Sequence, residues 1–134
     1  MLKQGWRGYI FSRPIGGQII PQRVQNLVIR DHCRRHDLLY LLSAVEYGMD
    51  GCFMMLRDQA AGAASVEGLI CYSTHLLPPD PGQRAALFDA FLTAGGGIRF
   101  ALEDLVVDEP AQVALIEDIL MCRALARSTS EGLF

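Results

Sequence analysis

The sequence predicts a single doubly wound α/β domain, a mainly parallel four-stranded sheet in the order 2-1-3-4 with helices on both faces. Three observations carry that expectation. Four short apolar runs, at 6–12, 38–42, 68–73 and 98–102, alternate with segments of helical spacing, the signature of βαβ units. Glycine and proline clusters punctuate the alternation at 14–17, 78–81 and 95–97. The chain has 134 residues, 51% of them hydrophobic and 20% charged, which is enough for one apolar core and no more.

Each element has its own grounds. Residues 6–12 form a short apolar strand, and Arg13 to Ile20 a loop with Pro14, Gly16 and Gly17. A helix of about four turns starts at Pro21, because proline at the first helical position gives up an N–H that would be unpaired anyway. Val24, Leu27 and Val28 are its apolar positions. Leu38 to Leu42 is apolar throughout, as expected of a strand covered on both faces. A second helix runs from Asp50 through Phe53, Met54, Leu56 and Arg57 into the alanine and glycine stretch at 60–64. Gly68 to Ser73 is the third strand, and His75 to Pro81 a loop with three prolines. Residues 83–94 place Ala86, Leu87, Ala90 and Phe91 on one helical face, and Gly95 to Gly97 stop that helix. Ile98 to Leu102 is the fourth strand. The last helix opens at Asp108-Glu109-Pro110, where acidic residues complement the helix dipole, and carries the stripe Val113, Ile116 and Leu120. A flexible tail is expected over 128–134.

Composition narrows the function. The net charge is −3, which argues against a surface built for nucleic acid or anionic lipid. The local excess of base, Arg30, Arg34 and Arg35 with neighbouring histidines, reads as a solvated helix face. Cys33, Cys52, Cys71 and Cys122 are far apart and lack metal-ligand spacing. There is no dinucleotide fingerprint, no P-loop and no metal motif, so neither a cofactor nor a metal is expected. The N-terminus lacks the apolar core of a signal peptide, and no run approaches about 18 apolar residues. A reducing, cytoplasmic compartment is the expectation, without membrane or nucleic-acid partners. Met49, Met54 and Met55 suit core filling or the surface of a homodimer or higher homo-oligomer.

In an open α/β sheet, ligands bind beyond the carboxyl ends of the strands. The residues there are Ser12 and Arg13; Ser43 and Glu46; Ser73, Thr74 and His75; and Glu103 and Asp104. Ser12 reads as a nucleophile or hydrogen-bonding group, and Arg13 as a cation for a carboxylate or phosphate. His75 has the ordinary pKa of a general acid or base, with Glu46 or Glu103 as its carboxylate partner. Tyr47 offers an aromatic face, and Gln22 and Gln25 reach the same edge from the first helix. The candidate site is thus His75, Glu46, Ser12 and Glu103 for chemistry, with Arg13, Gln22, Gln25, Tyr47 and Ser73 for binding.

Two resemblances attach to these residues. Gly8-Tyr9-Ile10 with Ser12, Gln22 and Gln25, the Glu46 region, Leu69 to Leu76 and Phe100-Ala101-Leu102-Glu103 follow the order of the serine recombinase (resolvase) catalytic domain. That likeness implies a flavodoxin- or resolvase-like fold and, in the family, a serine that attacks DNA beside several arginines. The departures are marked. The family's arginine before the serine falls on Ile10 or, if Arg13 takes the serine's place, on Phe11. Its Asp-Arg-Leu motif after the third strand appears as Thr74-His75-Leu76, and no helix-turn-helix segment follows. DNA recombination is therefore not expected.

The second likeness spans nearly the whole chain. Gly8-Tyr9-Ile10, Ser12-Arg13-Pro14, Pro21-Gln22 with Val24-Gln25-Asn26, Ile29-Arg30-Asp31, Leu42-Ser43-Ala44 with Glu46-Tyr47, and Tyr72-Ser73 resemble the sporadic carbohydrate cluster family of small bacterial proteins. It implies a small cofactor-independent enzyme of surface-polysaccharide or unusual-sugar biosynthesis. The expected chemistry is acid/base, of isomerase, epimerase or lyase and aldolase type, on a carbohydrate substrate. The alternative is a non-catalytic resolvase-like partner or scaffold for a sugar-modifying enzyme.

Overall fold

A computed structural model describes residues 4–132. The described chain forms β1 (Trp6–Phe11), α1 (Gln22–Arg35), β2 (Tyr40–Glu46), α2 (Met54–Ala61), β3 (Gly68–Cys71), α3 (Pro81–Thr93), β4 (Gly97–Phe100), β5 (Leu105–Val107) and α4 (Pro110–Gly132), with short 3-10 turns at Ala63–Ser65 and Thr74–Leu76. The sheet order is β2-β1-β3-β4-β5. The first four strands are parallel, as expected, while β5 pairs with β4 antiparallel. β5 was not expected: three residues give no periodicity to read. A turn at 101–104, with Asp104 in the left-handed region at φ 57°, folds it back.

The apolar runs behave as their composition demands. Tyr9 and Ile10 of β1, Leu69 and Ile70 of β3 and Ile98 and Phe100 of β4 are fully buried. Ile29 from α1, Leu87, Phe88 and Phe91 from α3 and Ile116 from α4 close the core over them. Each such side chain contributes roughly 2 kcal/mol by leaving water. Asp80 caps α3 by accepting from the Gln83 N–H at 3.0 Å, and Pro81 takes the first helical position. Gly8 is required by packing, since a Cβ there would collide with the Ser43 hydroxyl on β2.

Strand β2 departs from expectation. It begins later and runs on to Glu46, because its register pairs Phe11 with Glu46. It is an edge strand, so its apolar run is not covered on both faces: Leu42 is 79% exposed. Ser43 and Glu46 consequently lie within the strand and not beyond it. The expected tail overlaps α4, which continues to Gly132, and residues 133–134 lie outside the described residues. Among the described residues no helix is long and apolar enough to cross a membrane.

Candidate functional site

The carboxyl edge of the sheet divides into two parts. The first surrounds the exit of β1. Gln25 is fully buried beneath it, and its amide accepts from the Phe11 N–H (2.9 Å) and donates to the carbonyls of Phe11 (2.8 Å) and Ile20 (2.9 Å). Gln25 therefore clamps the strand exit and has no free hydrogen-bonding atom for a ligand.

Glu46 is 1% exposed and also turned inward. Its carboxylate accepts from the Tyr9 hydroxyl at 2.7 Å and from the N–H groups of Tyr47, Met55 and Leu56 at 3.0–3.1 Å. Helix α2 has no side-chain cap of its own, so Glu46 supplies the acceptor for its first turn. Burial pushes this carboxyl up, but the donors of Met55, Tyr9, Leu56 and Tyr47 outweigh it and hold the pKa below the usual range. A carboxylate so saturated has no capacity left as a proton carrier.

Arg13 is partly engaged in the same way, through one of its three nitrogens. Its Nη1 donates to the carbonyls of Tyr47 (2.9 Å), Met49 (3.1 Å) and Cys52 (2.9 Å), and its guanidinium stacks on Phe11 and Phe53. It fastens the loop between β2 and α2 to the end of β1. Ser12 stays exposed, its Oγ donating to the Glu46 carbonyl at 3.1 Å. Tyr47 is half-exposed beside it. Gln22 is exposed on the first turn of α1 and makes no side-chain hydrogen bond among the described residues.

The second part lies at the exits of β3 and β4. Glu103 accepts from the Ser73 hydroxyl (2.7 Å), the Thr74 hydroxyl (2.7 Å) and the Thr74 N–H (3.0 Å). Arg123 of α4 donates to Thr74 Oγ1 at 2.8 Å and lies 3.8 Å from Glu103. His75 stands exposed above this network, its N–H held by Ser73 Oγ. Partial burial, then the charges of Arg123 and Arg127, draw its pKa below the ordinary value against the pull of Glu103. The loop that follows Ser12 reaches this part too: Gly16, at φ 58°, lies close enough that a Cβ would sit 3.6 Å from the His75 ring.

Below His75 opens a cleft of about 630 Å³, walled by Thr74, Pro78, Arg84, Glu117, Arg123 and Arg127 among others. Arg84 is neutralised by Glu117 through two bonds of 2.6 and 2.8 Å. Arg123 and Arg127 remain to make the cleft cationic, with Glu103 offsetting Arg123 in part. These arginines escaped the sequence reading because they come from α3 and α4, far along the chain from the loops they join.

The sequence matches no protein-family model and no curated protein. The backbone does match solved structures. The N-terminal catalytic domain of TP901-1 integrase superposes with a TM-score of 0.64 at 10% identity, over 92% of this chain and 98% of that one. The fold is resolvase-like. A resolvase family site-specific recombinase from Streptococcus pneumoniae agrees at 0.58 and 10% identity, over 95% of each chain.

These matches correct the carbohydrate expectation. Nothing supports membership of the carbohydrate cluster family, a sugar substrate, or isomerase or lyase chemistry, whereas the resolvase-like backbone is shared with recombinase catalytic domains. The exclusion of nucleic acid and of recombination is corrected as well. A net charge of −3 describes the whole surface and does not show that arginines gather at one cleft.

Proposed function

We propose that this chain acts on DNA as a domain of the serine-recombinase catalytic type. Ser12 is the attacking hydroxyl, and the cleft of His75, Arg123 and Arg127 seats the phosphodiester backbone. The single observation carrying this is a resolvase-like fold spanning nearly the whole chain with an exposed serine at the carboxyl end of β1. In the step, Ser12 Oγ bonds to phosphorus while a deoxyribose oxygen leaves. His75, which follows the strand next to β1, is assigned to take the hydroxyl proton and return it to that oxygen. The reverse step rejoins the strand, so no outside energy source is needed. Free cysteines at all four positions agree with a reducing, cytoplasmic setting.

A second reading is a DNA-binding domain that does not cut. It is favoured by Arg13, whose Nη1 is divided among three backbone carbonyls and so ties the cation next to Ser12 to the protein's own loop. Covalent trapping separates the two. The full chain is incubated with a randomised duplex library, quenched in detergent, and examined for protein-linked DNA. An adduct that disappears in Ser12→Ala supports cleavage. Binding without an adduct supports the second reading, and neither binding nor adduct contradicts both.

A further inference from the structure

His32 lies in the last turn of helix α1 and His36, four residues on, at its C-cap. The turn between β4 and β5 brings Asp104 to them. His32 Nδ1 lies 3.2 Å from Asp104 Oδ1, and His36 Nε2 lies 3.0 Å from the same oxygen. The three donor atoms all fall within 4.8 Å of one another. Tetrahedral zinc, with bonds of about 2.0–2.2 Å, wants its donors about 3.3 Å apart. We propose that His32, His36 and Asp104 form a binding site for a zinc-like divalent cation, with solvent completing its shell.

An independent observation points the same way. His32 is wholly buried, and its Nδ1 has no hydrogen-bond partner among the described residues, since the approach to Asp104 lacks hydrogen-bond geometry. Leaving such a group unpaired is costly, and a bound cation relieves it. The carbonyl end of α1 adds a favourable dipole. Two imidazoles and one carboxylate suit zinc, whereas magnesium and calcium prefer oxygen alone.

Two cations stand nearby. Arg35 Nη1 is 3.8 Å from Asp104 Oδ2, an arrangement that leaves Oδ1 available. Arg99 Nη1 is 3.4 Å from His32 Nε2, and a metal on Nδ1 moves the ring proton to Nε2, so Arg99 must turn away. Its Nε is buried without a partner among the described residues, and it lines a pocket of about 560 Å³ with Glu67, Asp108 and Glu109, carboxylates that can receive it.

The test titrates the purified full chain with Zn²⁺ by calorimetry and with Co²⁺ by visible absorption. One equivalent is expected to bind, with a tetrahedral cobalt spectrum lacking thiolate charge transfer. Asp104→Asn and His36→Ala should each weaken binding at least about tenfold. Asparagine tolerates the left-handed backbone at 104, so that variant keeps the fold, which circular dichroism verifies. Cys52→Ser and Cys122→Ser should leave binding unchanged. Absence of stoichiometric binding, or binding unmoved by Asp104→Asn and His36→Ala, overturns the site.

Discussion

The two halves of the carboxyl edge carry similar residue types and use them in opposite ways. Around β1, Glu46, Gln25 and Arg13 direct their hydrogen bonds into the protein's own backbone. Around β3 and β4, Glu103 orders Ser73 and Thr74, and arginines from α4 face an open cleft. Polar side chains at strand ends are therefore not interchangeable evidence of a site. What separates them is whether hydrogen-bonding capacity remains after the fold has been satisfied. The first half builds the platform that carries Ser12, and the second leaves arginine charge facing an open cleft.

Substitutions can break that contrast. The largest expected effect is at Glu46. Glu46→Ala strands the Tyr9 hydroxyl and the N–H groups of Met55 and Leu56, and should cost about 3 kcal/mol in urea unfolding. A loss under about 1 kcal/mol would show that the carboxylate is not the α2 cap. Gln25→Ala should follow at about 2 kcal/mol, because Phe11 loses partners on both its N–H and its carbonyl. By contrast, Arg127→Ala should change stability by no more than about 0.5 kcal/mol while weakening DNA binding, measured by fluorescence anisotropy.

Much of the fold was legible and less of the site, for physical reasons. β1, β3, α3 and β4 announce themselves because glycine, proline or aspartate bounds each apolar segment. β5 does not, being three residues placed by a turn. His75 and Glu103 lie at the strand exits where the sequence places them, because each directly follows an apolar strand. The role of Glu46 was invisible, since it rests on α2 lacking a side-chain cap and on the register that carries β2 to Glu46. The cleft arginines were missed because α4 meets the Thr74 turn only in three dimensions; Thr74 and Arg123 are 49 residues apart.

Two smaller, pH-dependent effects sharpen the comparison. His32 has a folded pKa of about 4, below its unfolded value, so its contribution to stability is complete above about pH 6.5 and is lost as pH falls toward 4. Urea midpoints should decline across that window, and less so in His32→Asn. His75 is also depressed, so DNA binding should strengthen only as pH drops below the ordinary histidine range and a positive charge joins the cleft. His75→Ala should flatten that rise; an unchanged pH profile would remove His75 from the DNA-binding surface.

The central claim is that this resolvase-like domain engages DNA through the cleft beside His75, and salt-dependent binding tests it most directly. Anisotropy of a labelled duplex should give a logarithmic affinity that falls linearly with logarithmic salt, with the slope reduced by about 1 for each of Arg123→Ala and Arg127→Ala. No binding at low salt, or slopes identical in wild type and both variants, would contradict it.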